Sequence, residues 1–194
     1  MPIVKLFYEE NNLGNFELFI LHGIYSTLIA IGEIPSGYIA DIWGRKKTLI
    51  LGSILSFKGF LIYSVGQGLW DFAIAEFLLG IGMSFISGAD SALLFDTLLD
   101  LKKENNYQKY EGRITSAGNF AEALGGLIML LLIHFGIKSY RIGYILQTIV
   151  IFISLILSFL LKEPLNHKKF SSASLSHFLN ILKFSFHNKQ LRIF

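Results

Sequence analysis

The chain has 194 residues, of which 53% are hydrophobic and only 16% charged, whereas a soluble domain carries about 25% charged residues. It holds 18 Phe, 18 Gly and no cysteine, which fits a membrane protein and excludes a disulfide framework and a thiolate metal site. The net charge of +3 points weakly to an acidic partner, and the placement of the charges says more than their sum.

Crossing about 30 Å of hydrocarbon takes roughly 20 apolar residues as helix. Residues Pro2 to Tyr8 are apolar but reach only about 12 Å as helix. They run into Glu9 and Glu10 without a basic leader or a small-residue cleavage site, so no cleavable signal is read. Five full spans follow. Phe16 to Ala40 is interrupted only by His22 and Glu33, and Thr48 to Gly66 holds Lys58 near its middle. Ala73 to Phe95 contains Glu76 and Asp90, Ile114 to Ile137 contains Glu122 and His134, and Ile142 to Leu161 carries no charge. No strand-like alternation competes, so the expected fold class is an all-α membrane protein, a polytopic helical bundle over residues 1–161. The connector from Asp96 to Arg113 is polar. A polar tail fills residues 162–194. In it Leu175, Phe178, Leu179, Leu182 and Phe186 share one helical face, which predicts a short amphipathic helix on the membrane surface or packed on a further domain.

Basic residues outside the spans set the orientation. The segments 41–47, 96–113 and 162–194 lie on one side and hold 13 of the 17 Lys and Arg. The other side has Lys5, Lys138 and Arg141, and Lys58 is inside a span. The positive-inside rule makes the richer side cytoplasmic, in the cell (inner) membrane. Residues 1–15 then lie outside, which an earlier helix explains. We therefore expect Pro2 to Tyr8 to be the outer end of a first helix that begins before this sequence, with a genuine five-span protein as the alternative.

The strongest motif is Gly37-Tyr38-Ile39-Ala40-Asp41-Ile42-Trp43-Gly44-Arg45-Lys46-Lys47, between the first two full spans. Gly37 permits close helix packing and Gly44 a tight turn. Asp41 can accept backbone N–H groups or pair with Arg45. This segment resembles the signature loop of the major facilitator superfamily, G-x-L-A-D-R-x-G-R-K-x, with Ile39 in place of Leu and Ile42 in place of Arg. In that family the loop joins the second and third helices, so the resemblance implies one more helix in front and an N-terminal six-helix half covering nearly the whole chain. It also implies a gating role for Gly37, Asp41, Gly44, Arg45 and Lys46. The plainer alternative is a basic loop that only sets topology.

At 100° per residue, Glu76, Gly80, Met83, Ser87 and Asp90 fall on one stripe of the third span, and Asp96 lies about 160° away. Asp96 is read as a gate residue with Arg45 or Arg113 as partner. Glu76 stands four residues before Gly80, where the family's fourth helix often has Arg, so a fixed cation is replaced by a group that can exchange a proton. Glu33, Lys58 and Glu122 are costly in hydrocarbon, roughly 2.5–3.5 kcal/mol each on insertion scales, and should face a cavity or a partner. Lys58 has Glu76, Asp90 and Glu122 as candidate partners. Pro35, two residues after Glu33, is placed to kink its helix. Glu122 shares a small-residue stripe with Thr115, Gly118, Asn119, Gly125 and Gly126, similar to the glycine-rich fifth-helix motif of antiporters but with Ala121-Glu122 where that motif has Gly-Pro. The candidate solute or proton cavity is thus Glu33, Lys58, Glu76, Asp90, Asn119 and Glu122, with structural ion pairing as the alternative for each.

His167, His177 and His187 are too far apart for a metal site, and His22 and His134 are isolated, so no metal and no cofactor is assigned. The basic residues sit at membrane edges, so nucleic acid is not indicated. The resemblance implies two halves rocking about a central site, with a second, C-terminal half supplied by the same gene or by another chain. The excess of carboxylates favours a cationic or neutral amphipathic solute moved by secondary active, proton-coupled transport. A non-transporting remnant or half-carrier subunit is the first alternative. An intramembrane acid–base enzyme is disfavoured, because no nucleophile or ligand set accompanies the carboxylates.

Overall fold

The computed structural model describes residues 2–136 and 139–164, and every regular element among them is a helix. In chain order these are α1 (Pro2–Glu10), α2 (Asn15–Trp43), α3 (Arg45–Val65), α4 (Leu69–Ser87), α5 (Asp90–Asp100), α6 (Tyr107–His134) and α7 (Arg141–Leu160), with a 3-10 turn at Glu104–Asn106 before α6. Five stretches are long and apolar enough to cross a membrane: Asn15–Trp43, Arg45–Val65, Leu69–Asp100, Glu104–His134 and Arg141–Leu160. The fold is therefore the all-α bundle expected from the sequence. Hydrocarbon offers the backbone no hydrogen-bond partners, so each spanning segment must satisfy its own amides as helix. Short polar turns close the ends. The Gly14 N–H donates to Glu17 Oε2 at 2.9 Å before α2, and the Gln67 N–H donates to Asp71 Oδ2 at 3.0 Å before α4.

The centre of the bundle is α4, packed between α2 and α3, and the far side of α3 carries α7. Small residues set these spacings. A Cβ on Gly82 would stand 2.9 Å from the Gly52 carbonyl oxygen, and one on Gly52 would stand 2.8 Å from that of Gly82, so α3 and α4 touch backbone to backbone. Toward α2, a Cβ on Gly80 would meet the Tyr25 carbonyl at 3.0 Å and one on Gly88 the Gly37 amide nitrogen at 2.8 Å. Water does not drive apolar helices together in a bilayer, so such close contacts supply the attraction. α6 is different. Among the described residues its substantial contacts are with α5 and the 3-10 turn, and most of its residues are exposed.

Two expectations need correction. The third span is not one helix. It breaks at Gly88 and Ala89, and Ala89 adopts φ −118°, ψ −31° before α5 begins. A 100° step carried from Glu76 to Asp90 loses its register there. Glu76, Gly80, Met83 and Ser87 keep one face of the unbroken α4, buried at Glu76 and Gly80 and exposed at Met83, while Asp90 lies beyond the break and is exposed. The connector from Asp96 to Arg113 is also mostly helical. α5 continues to Asp100 and α6 starts at Tyr107, because helices carry on into polar sequence beyond their apolar core. The amphipathic segment at Leu175 to Phe186 and the three tail histidines lie outside the described residues.

Candidate functional site

The proposed gate residues meet at one end of the bundle. α2 and α3 are joined by Gly44 alone, which has φ +112°, a region open to glycine and disfavoured for residues with a Cβ. That turn lets Asp41 near the end of α2 face Arg45 at the start of α3, with Arg45 Nη2 3.3 Å from Asp41 Oδ1. Arg45 Nε is 2.8 Å from Asp96 Oδ2 on α5. The Nε–H does not point along that line, so the contact is ionic rather than a formed hydrogen bond. The Arg45 and Asp96 side chains are 16% and 13% exposed and that of Asp41 56%. Asp96 thus pairs with Arg45. Its other candidate partner, Arg113, is exposed and lies over the Tyr110 ring at 5.9 Å. A Cβ on Gly37 would touch nothing within 4 Å; the close approach there is made by Gly88 against the Ser36–Gly37 backbone.

Sequence reasoning missed Glu163. Its carboxylate accepts the backbone N–H groups of Arg45 at 2.8 Å and Lys46 at 2.9 Å, and it lies 3.3 Å from a Cβ built on Gly44. The first N–H groups of a helix have no partner within it, and the helix dipole favours an anion there. Lys46 Nζ donates to the Phe159 carbonyl at 2.9 Å. The end of α7 is therefore fastened to the start of α3. The signal in the sequence was a single acid, Glu163, after a charge-free span.

A second cluster lies toward the other end of α3, about 27 Å from Arg45 along the helix axis. Phe7, Tyr8, Leu21, Tyr63, Phe72, Ala75 and Leu79 form a buried core. Tyr63 stacks between Phe72, with centroids 5.1 Å apart, and Tyr144, at 4.6 Å. Glu76 is buried among these rings. The Tyr63 hydroxyl donates to Glu76 Oε1 at 2.7 Å, and the Tyr8 and Tyr63 hydroxyls are 2.5 Å apart. Tyr8 and Tyr63 were not singled out from the sequence, although a tyrosine inside an apolar span needs a partner for its hydroxyl. Arg141, at the start of α7, ties this end together. Its Nη2 donates to Asn11 Oδ1 at 2.9 Å and its Nη1 to the Ser64 carbonyl at 3.2 Å, while Glu10 Oε2 accepts the Tyr140 N–H at 2.9 Å.

The remaining cavity candidates do not converge. Glu33, Lys58, Asp90, Asn119 and Glu122 are all exposed. Among the described residues no ion pair involves Lys58, so the expected pairing with Glu76, Asp90 or Glu122 is not made. Asp90 Oδ1 accepts the Ser91 N–H at 2.6 Å, and the Ser91 hydroxyl reaches Glu111 at 3.3 Å. Glycines 118, 125 and 126 face open space. An apolar groove of about 380 Å³ lined by Gly23, Ile24, Thr27, Leu28 and Phe77 runs beside α2 and α4, and none of the candidate residues lines it.

Apolar helices welded by glycine contacts, with charges paired at one end and a carboxyl held inside at the other, define a polytopic membrane protein. The profile of the Major Facilitator Superfamily matches residues 1–193, and the chain belongs to that family. It is 27% identical over 193 residues to Multidrug resistance protein 2 of Bacillus subtilis, covering 96% of this chain and 46% of that protein. It is 24% identical over 191 residues to an uncharacterized MFS-type transporter of Methanocaldococcus jannaschii, 95% of this chain and 48% of the relative. With an uncharacterized transporter of Buchnera aphidicola it shares 32% identity over 110 residues, 56% of this chain and 27% of the relative. The chain thus spans about half the length, or less, of these curated relatives. No solved structure matches it significantly.

Proposed function

We propose that the chain serves as the N-terminal half of a secondary transporter that moves a small solute by alternating access, with proton coupling and drug-type efflux as its form. The observation that carries this reading is Glu76, a carboxyl buried in the bundle and met by a tyrosine hydroxyl rather than by a cation. A fixed ion pair would hold its charge; a carboxyl paired with a neutral donor is free to gain and lose a proton. Membership of a transporter family and likeness to multidrug resistance proteins support a cationic or neutral amphipathic solute. The Asp41–Arg45–Asp96 network supports a gate at the opposite end of the bundle, and the positive charge of the neighbouring loops supports a cytoplasmic placement of that end. The faces of α6 that are exposed among the described residues support a second half, on the same polypeptide or another. Glu33, Lys58, Asp90, Asn119 and Glu122 would then line a cavity completed by that half.

The test uses everted vesicles carrying the full gene product, with ethidium as the probe solute and an imposed proton gradient. Wild type is expected to accumulate ethidium with a pH-dependent rate, and Glu76→Gln to abolish the gradient-driven part. Unchanged transport and pH dependence in Glu76→Gln removes Glu76 from the mechanism. No ethidium movement by wild type favours a half-carrier or remnant that does not transport it.

A further inference from the structure

A buried carboxyl that changes protonation state faces a structural difficulty. Its neighbours must satisfy it in both states, because an unpaired polar group in a low-dielectric interior is costly whichever form it takes. Glu76 Oε1 is 2.7 Å from the Tyr63 hydroxyl, which is 2.5 Å from the Tyr8 hydroxyl. Both rings are at least 98% buried. The three groups come from α4, α3 and α1, so the chain of hydroxyls also joins three helices.

A phenol hydroxyl is at once a donor and an acceptor, whereas an ionised carboxylate only accepts and an arginine only donates. When Glu76 is ionised, Tyr8 donates to Tyr63 and Tyr63 donates to the carboxylate. When Glu76 is protonated, the order reverses: the carboxyl donates to Tyr63, and Tyr63 donates to Tyr8. Both contacts of the chain persist in either state and no heavy atom has to move; in the protonated state the spare donor falls on the Tyr8 hydroxyl, at the far end from the carboxyl. An arginine or lysine in the place of Tyr63 would lack this property. The other titratable groups within electrostatic reach of Glu76 are His22 and Tyr25 on α2 and Tyr144 on α7. Of these, His22 lies with its Nδ1 3.2 Å from the Leu18 carbonyl oxygen.

We infer that Tyr63, backed by Tyr8, is a positioning residue for Glu76: the two hydroxyls keep the carboxyl hydrogen-bonded both when it carries a proton and when it does not. This rests on the reading of Glu76 as the proton-exchanging group. Tyr63 fits the role because its ring is clamped between Phe72 and Tyr144, which fixes the hydroxyl without help from the carboxyl.

The experiment is infrared difference spectroscopy of the full gene product in lipid, stepped in pH, and it needs no transported solute. Wild type is expected to show a protonated-carboxyl C=O band that is absent in Glu76→Gln. In Tyr63→Phe, which keeps the stacked ring and loses only the hydroxyl, that band moves to higher wavenumber because its hydrogen-bond partner is gone. Tyr8→Phe moves it in the same sense by less. Size-exclusion elution identical to wild type checks that both variants fold. A Glu76-dependent band that stays in place in Tyr63→Phe overturns the inference and leaves Glu76 as the proton site. If no band depends on Glu76 at any pH at which the protein stays folded, both fall.

Discussion

Arg45 makes two ionic contacts of unequal weight. Asp96 meets it in a nearly enclosed setting and Asp41 in a half-open one. Removing one member of a buried pair strands a charge and costs about 3 kcal/mol, whereas an exposed i,i+4 pair contributes less than about 1 kcal/mol. Asp96→Asn is therefore expected to lower the thermal unfolding temperature of the full gene product in detergent clearly more than Asp41→Asn. Equal effects would mean that the two contacts are equally screened. Glu163→Gln keeps an acceptor and loses the charge at the α3 N-terminus, so a loss of about 0.5–1 kcal/mol is expected, measured in the same unfolding assay. That Asp41 can pair with Arg45 was legible in the sequence, as was Asp96 as an acid near the same end. Tyr63 and Glu76 are 13 residues apart across a helical turn, and their meeting depends on how α3 crosses α4. No single-helix periodicity contains that angle. Lys58 shows what a hydropathy window leaves open: its side chain is exposed among the described residues, and the sequence does not say whether it meets a cavity or a partner.

The elements themselves were readable because roughly 20 apolar residues in a row leave helix as the only way to satisfy the backbone in lipid. The break in the third span was not, since Gly88 and Ala89 are as apolar as their neighbours and hydropathy does not register backbone angles. What the glycines do also depends on placement. Gly82 and Gly118 look alike in sequence, yet one abuts the α3 backbone and the other faces open space. Gly82→Ala must push Gly52 or Ser56 aside, and backbone cannot yield as a flexible side chain does, so about 1–3 kcal/mol of destabilisation is expected. Gly118→Ala should cost nothing measurable in the N-terminal bundle. Comparing the fraction of each variant that survives heating in detergent checks the pair, and a Gly82→Ala protein as stable as Gly118→Ala would mean that the α3–α4 contact is looser than 2.9 Å.

For the whole molecule, the two clusters sit at opposite ends of α3, and the orientation proposed from the basic loops would put the Arg45 end in the cytoplasm. These 194 residues contain no cysteine, so single cysteines can be placed cleanly on exposed positions. Lys47→Cys is expected to react with an impermeant maleimide only in everted vesicles and Gln67→Cys only in right-side-out ones; the reverse pattern would invert the orientation. The class was legible from composition and hydropathy alone, while the assembly of three helices around Glu76 was not, because it depends on crossings set by glycine contacts far along the chain.

The one-residue junction at Gly44 leaves α2 and α3 no slack. A loop of several residues would let two helices slide or pivot separately, absorbing the movement of one before it reached the other. Here a single pair of backbone angles is the whole joint, with the Glu163 carboxylate pressed against it. Any tilt of α2 must turn up in α3, and through the fastening at Lys46 and Glu163 in α7. The three helices share one joint at the charged end, so a change of angle at that joint would sweep furthest at the other end of α3, where the rings hold Glu76.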